Sequence, residues 1–229
     1  MPVAATIAID GPAGAGKTVV GQGVARELHY LFLDTGAMYR ALTYLALAGG
    51  LDLGDEAALA ALSRQAGIDV LPADSHADGR PYSVLAGGAD VTWQIRGPEV
   101  SSKVSQVSAW PAVRREMVQA QVRLAQRGCC VLAGRDIGTV VLPQADLKIF
   151  LVASLEERVR RRAEELRARG EVVDEAALRA AIEARDALDS GRAASPLKPA
   201  ADAHLLDSTG LTAPQVVAKI VALAGKRPN

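Results

Sequence analysis

The sequence predicts an α/β fold, with a parallel sheet covered by helices on both faces. Three observations predict it. Short apolar runs bounded by glycine or charge alternate with longer stretches whose apolar residues recur at helical spacing. Hydrophobic residues fill 49% of the 229 positions and charged residues 23%, the profile of a globular chain that can bury a sizeable core. A glycine-rich segment also joins the first apolar run to the first helical pattern. Aromatic residues are only 3% of the chain, so the core must be mostly Leu, Val, Ile and Ala.

Each element follows from its pattern. AATIAID (4–10) reads as a buried strand, and KTVVGQGVAREL (17–28) as a helix. YLFLD (30–34) is the second strand, and GAMYRALTYLALAGG (36–50) a helix stopped by two glycines. DEAALAALSRQAG (55–67) is a helix with acidic residues in its first turn. Residues 68–95 break the rhythm with short β-like runs separated by DG, GG and Pro signals, a small antiparallel insertion. Helical pattern resumes from about 97 to 127. CCVLAGRD (129–136) and ADLKIFLVAS (145–154) are strands, and 154–170 and 174–191 are helices. DAHLLDS (202–208) is a last strand, APQVVAKIVALAG (213–225) the closing helix, and KRPN a frayed tail.

Composition narrows function. The formal net charge is zero, which argues against a protein that wraps nucleic acid, although a local arginine cluster can still hold a small anion. Cys129 and Cys130 are adjacent, lack metal spacing and read as core thiols. No run of eighteen apolar residues and no signal-peptide pattern is present, so a cytoplasmic location without membrane attachment is expected.

GPAGAGKT (11–18) satisfies the phosphate-binding P-loop pattern, with a strand before it and a helix after it. Its glycines let successive backbone N–H groups converge on one anion, and the helix N-terminus adds partial positive charge. The candidate ATP-binding residues are Gly11, Pro12, Ala13, Gly14, Ala15, Gly16, Lys17, Thr18 and the adjoining Val19. Lys17 reaches the β- and γ-phosphates, and the Thr18 hydroxyl is the candidate ligand of Mg²⁺. The only asparagine is Asn229, so the Asn-Lys-x-Asp element of a GTPase is missing, as is the SGGQ element of an ABC ATPase. A small-molecule kinase remains, and it needs cations around an anionic acceptor.

Arginines supply them. DTGAMYR (34–40) places Thr35 and Arg40 at the carboxyl edge of the sheet, where the P-loop also lies. AGRDIGTVV (133–141) ends a buried strand on Arg135 and Asp136, a costly pair unless used or partnered. Arg185, Asp189 and Arg192 follow at spacings of four and three, on one helical face. In 154–170, Arg158, Arg160, Arg161 and Arg162 stand among glutamates; most read as a solvated face with Glu157–Arg161 pairing. His29, His76 and His204 are scattered and offer no base dyad.

GPAGAGKT, DTGAMYR, SQVSAWPAVR, AGRDIGTVV, RDALDSGRAASPLKPA and HLLDST, in this order, resemble the bacterial cytidylate kinase family from about Ile7 to Val221. The resemblance implies the P-loop nucleoside monophosphate kinase fold: a five-stranded parallel sheet, a monophosphate-binding region at about 36–110 and a helical lid at about 154–170. The insertion falls where the family carries one. It implies phosphoryl transfer from ATP to CMP or dCMP with Mg²⁺. By residue, it implies Thr35 and Arg40 in the acceptor site and Ser105, Arg114 and Asp136 at the cytosine. Arg135 and Arg192 would face phosphate, Arg185 and Asp189 the sugar, and Arg158 and Arg162 act from the lid. The catalytic set so implied is Lys17, Arg135, Arg158, Arg162 and Arg192. Leu188, Ser190 and Ala184 depart locally from the pattern. A monomer is expected. The other readings are a P-loop kinase for a different acceptor and an ATP-binding regulatory module.

Overall fold

Glycine and proline punctuate the chain where the pattern demands, and the elements fall between them. The protein is described here from a computed structural model covering residues 5–72, 78–80, 82–168 and 170–225. Strands β1 (Thr6–Asp10), β2 (Leu31–Asp34), β6 (Cys130–Ala133), β7 (Leu147–Val152) and β8 (His204–Asp207) form one parallel sheet in the order β2-β6-β1-β7-β8. Strands β3 (Asp69–Leu71), β4 (Ser83–Ala86) and β5 (Ala89–Asp90) form a separate antiparallel sheet, the predicted insertion. Its β4–β5 turn is Gly87–Gly88, both at positive φ, the conformation a tight hairpin requires. His76 and the tail at 226–229 lie outside the described residues.

The two-residue period of the strands divides the core. Ile7, Ile9 and Val131 face one side, where α1 (Lys17–Leu28) and α8 (Ala213–Ala224) bury Val20, Val24, Val216 and Ile220 against them. Ala8, Leu33 and Leu132 face the other, against Met38 and Leu42 of α2 (Thr35–Ala48) and Met117 of α5 (Pro111–Ala125). The remaining helices are α3 (Glu56–Gln65), α4 (Pro98–Val107), α6 (Leu155–Ala168) and α7 (Glu175–Ser190). Asp55 and Asp174 cap α3 and α7 by accepting backbone N–H groups of their first turns. Among the described residues, no helix is long and apolar enough to cross a membrane.

Three boundaries differ from the sequence reading. The stretch 97–127 is two helices, because Pro111 cannot donate a backbone bond and holds Trp110 extended. Helix α7 ends at Ser190, so Arg192 is not on its face; it lies past Gly191 and folds back onto Asp189. The third strand, read to Asp136, ends at Ala133, and Ile137–Val141 beyond it form one wide π-helical turn.

A parallel sheet sends every strand's carboxyl end to the same edge. The P-loop, Asp34–Thr35, Gly134–Asp136, Ser154 and Ser208 all emerge there. Residues more than a hundred positions apart thereby come to share one site.

Candidate active site

The P-loop runs from Gly11 to Gly16 between β1 and α1. Gly11 sits at φ +148, and a Cβ there would come within 2.0 Å of the Leu151 carbonyl oxygen of β7. Only glycine fits so near a neighbouring strand. Lys17, the first residue of α1, is buried and donates from Nζ to the Pro12 carbonyl at 2.6 Å. Burial, then the positive charge of Arg135, pushes its ammonium well below the ordinary lysine range.

Two arginines of α6 hold the loop from outside. Arg158 is buried; its Nη1 donates to the Ala13 carbonyl at 3.1 Å and to Asp186 of α7. Asp186 in turn accepts the Ala13 N–H at 3.4 Å. Arg161 reaches the Ala15 carbonyl at 3.4 Å and the Ser208 carbonyl at 2.6 Å, and pairs with Glu157 at 2.8 Å as the helical spacing predicts. Arg162 pairs with Glu165. Thus Arg158 touches the P-loop, whereas Arg162 is engaged on its own helix.

Two hard oxygen donors meet beside the loop. The Thr18 hydroxyl donates to Asp34 Oδ2 at 2.9 Å. Asp34 is the last residue of β2, and the sequence reading passed over it. A hydroxyl and a carboxylate, both hard oxygen donors, suit Mg²⁺, which takes one or two protein oxygens and completes its shell with phosphate and water. Val19, next along α1, is largely exposed.

The arginines and the aspartate at the ends of β6 and α7 converge as a charge cluster. Asp189 is buried at its centre and accepts from Arg135 Nε at 2.7 Å and from Arg192. Burial opposes ionisation of Asp189, but Arg135 and Arg192 outweigh it and hold the carboxyl below its ordinary value. Arg185 makes no ion pair among the described residues; burial, then Arg135, lowers its pKa to about 10. Arg40 donates to Ser101 Oγ at 2.8 Å and to the Ile95 carbonyl at 3.4 Å. Its pKa is lowered by burial, while the neighbouring Asp34 works in the other direction.

A buried pair lies beside this cluster. Arg114 of α5 donates from Nη2 to Asp136 Oδ2 at 2.5 Å and from Nη1 to the Ser108 carbonyl at 3.1 Å, with its guanidinium over the Tyr39 ring. Arg135 and Asp136, adjacent in sequence, therefore take different partners and do not close the sheet as a local pair. Ser108, also missed in the sequence, accepts from Arg192 at 3.3 Å. Ser105 lies a turn earlier on α4, half-buried. The buried Thr35 hydroxyl donates to the Ala133 carbonyl at 2.9 Å, and its lone pairs remain able to accept.

Asp10 supports the site from below. Its buried carboxylate accepts the N–H groups of Ile137 and Gly138, each at 2.8 Å, fixing the turn that follows Asp136. Burial is the main cause that raises its pKa from 3.8 to about 6. The folded value lies above the unfolded one, so the native protein binds more protons between them, and stability falls as pH rises through that window. We predict that wild-type protein loses about 3 kcal/mol relative to Asp10→Asn between about pH 4 and pH 7. Urea unfolding of both proteins across that range checks it; a flat difference would contradict the assignment.

A P-loop at a sheet edge, facing a buried cluster of arginines, defines the class: a phosphotransferase that moves a phosphoryl group from a nucleoside triphosphate to an anionic acceptor. The cytidylate kinase family model matches residues 7–226. A cytidylate kinase of Chloroflexus aggregans is 52% identical over 221 residues, covering 96% of this chain and 94% of that protein. One from Geobacillus kaustophilus is 50% identical, covering 97% of each. The chain belongs to the cytidylate kinase family. A crystal structure of an uncharacterized protein from Eubacterium ventriosum shares the fold, with a TM-score of 0.52 at 11% identity, over 97% of this chain and 99% of that one.

Proposed function

We propose that this chain transfers the γ-phosphoryl group of ATP to CMP or dCMP, giving ADP and CDP or dCDP. What supports the reading, within a cytidylate kinase family member, is the crowding of cations opposite the P-loop. Beyond burial, the charge of Arg135 lowers the pKa values of Lys17 and of Arg185, and Arg40 and Arg192 add to the field at Arg185. Such a cluster costs free energy by itself and is stabilised by anions placed among its members.

The acceptor is already an oxyanion, so no general base is required, and catalysis rests on positioning and charge neutralisation. The P-loop amides and Lys17 hold the donor phosphates. Arg40, Arg135 and Arg192 hold the acceptor phosphate and draw it towards the γ-phosphoryl group, while Arg185 and Asp189 take the sugar. Thr18, with Asp34 behind it, would hold Mg²⁺, which when bound would neutralise charge on the donor phosphates. Asp136 accepts the N4 amino group of cytosine, with Arg114 fixing the carboxylate and Ser105 nearby. Arg158 and Arg162 belong to a helical lid that excludes water, the competing acceptor. The monophosphate region spans about 36–110, the lid about 154–170. We read the protein as a cytoplasmic monomer.

The experiment is ADP formation from ATP and Mg²⁺ with CMP, dCMP, UMP, AMP, GMP, shikimate and gluconate as acceptors. Turnover with CMP and dCMP, weak with UMP and absent elsewhere, is expected. Preferred turnover of another acceptor would overturn the proposal in favour of a different P-loop kinase.

A further inference from the structure

Asp34 occupies the N-cap position of α2, where an aspartate ordinarily accepts an N–H group of the helix's first turn. Here it makes no such bond. Its Oδ2 instead accepts two hydroxyls, from Thr18 at 2.9 Å and from Tyr82 at 2.9 Å. Tyr82 comes from the inserted antiparallel sheet, immediately before β4 and forty-eight positions from Asp34. A hydrogen-bond chain therefore runs from the insertion, through one carboxylate oxygen, to the hydroxyl of the P-loop threonine.

The tyrosine is held firmly enough to matter. It is buried, with its ring tilted against Phe32 of β2 at 6.0 Å between centroids. The Arg96 guanidinium lies 5.6 Å from its centroid and 5.3 Å from that of Trp93. These contacts fix where the phenol oxygen points.

We infer that Tyr82 is a positioning residue for the donor site: its hydroxyl holds the Asp34 carboxylate away from the α2 cap, so that Asp34 orients the Thr18 hydroxyl towards Mg²⁺ and the ATP phosphates. The inference rests on the reading of Thr18 as a metal ligand. A threonine whose proton is committed to a carboxylate presents its lone pairs to a cation. Without the phenol, Asp34 Oδ2 keeps one donor, while the first-turn N–H groups of α2 compete for the carboxylate. Asp34 turns to cap α2, and Thr18 loses its orientation. Folding is little affected, because the cap gained offsets the bond lost.

The test is calorimetric binding of AMP-PNP to the full chain, wild type and Tyr82→Phe, in excess Mg²⁺ and in EDTA. The phenylalanine keeps the ring contacts and removes only the hydroxyl. The Mg²⁺-dependent gain in affinity is expected to fall about tenfold in the variant. The affinity in EDTA and the KM for CMP are expected to stay at wild-type values. An undiminished Mg²⁺ gain in Tyr82→Phe would overturn the inference. So would an equal loss in Mg²⁺ and in EDTA, which would make the tyrosine a packing residue only. A wild-type protein with the same affinity in both conditions would overturn the metal reading of Thr18, and this inference with it.

Discussion

Lys17→Met is expected to lower kcat/KM by about a thousandfold or more, the scale set by losing one preorganised electrostatic contact to a transferring group. Lys17 is buried under the P-loop, and its ammonium lies within the field of Arg135 and Arg185. Phosphate binding relieves that repulsion, so the charge contributes most when the donor is bound. The same substitution removes a desolvated cation from a crowded site, and thermal stability is expected to hold or rise. Steady-state kinetics and a melting curve on one preparation separate the two effects. Lost activity with a fall in stability would mean that Lys17 serves the fold rather than the phosphates.

Asp136 carries the second large effect. Its carboxylate and Arg114 are both buried, with side-chain exposures of 6% and 4%. Asp136→Ala leaves the Arg114 charge without its partner and is expected to cost about 3–5 kcal/mol of stability. Asp136→Asn keeps an oxygen for Arg114 but offers an amide N–H₂ in place of the second carboxylate oxygen. That donor meets the cytosine amino group badly and the uracil carbonyl well. The ratio of kcat/KM for CMP to that for UMP is expected to fall about tenfold to a hundredfold in Asp136→Asn. An unchanged ratio would remove Asp136 from base selection.

Much of this site could be read from the sequence, for a physical reason. A parallel sheet gathers strand ends, so motifs that follow strands must share an edge. GPAGAGKT, DTGAMYR and AGRD were each placed there by that rule, and the structure puts them there. Pairing was harder. Arg135–Asp189 and Arg114–Asp136 join residues 54 and 22 positions apart, and Ala13–Asp186 residues 173 apart. Periodicity reports which face a residue occupies, not which partner it meets. Asp34 could have been found: a carboxylate that ends a buried strand is costly unless partnered, the same signal that marked Asp136. Tyr82 carried no signal, because its role depends on where the inserted sheet docks. The turn at Ile137–Val141 was hidden because an apolar run such as IGTVV fits a strand and a wide helical turn equally well.

The central claim is that one chain holds a phosphoryl donor and a nucleotide acceptor together at this edge. The most direct measurement follows the γ-phosphoryl group itself, using ATP labelled at that position with Mg²⁺ and CMP. The account predicts label in the terminal phosphate of CDP, and only background label in inorganic phosphate. Label released as inorganic phosphate, or retained in ATP while CMP is bound, would contradict it.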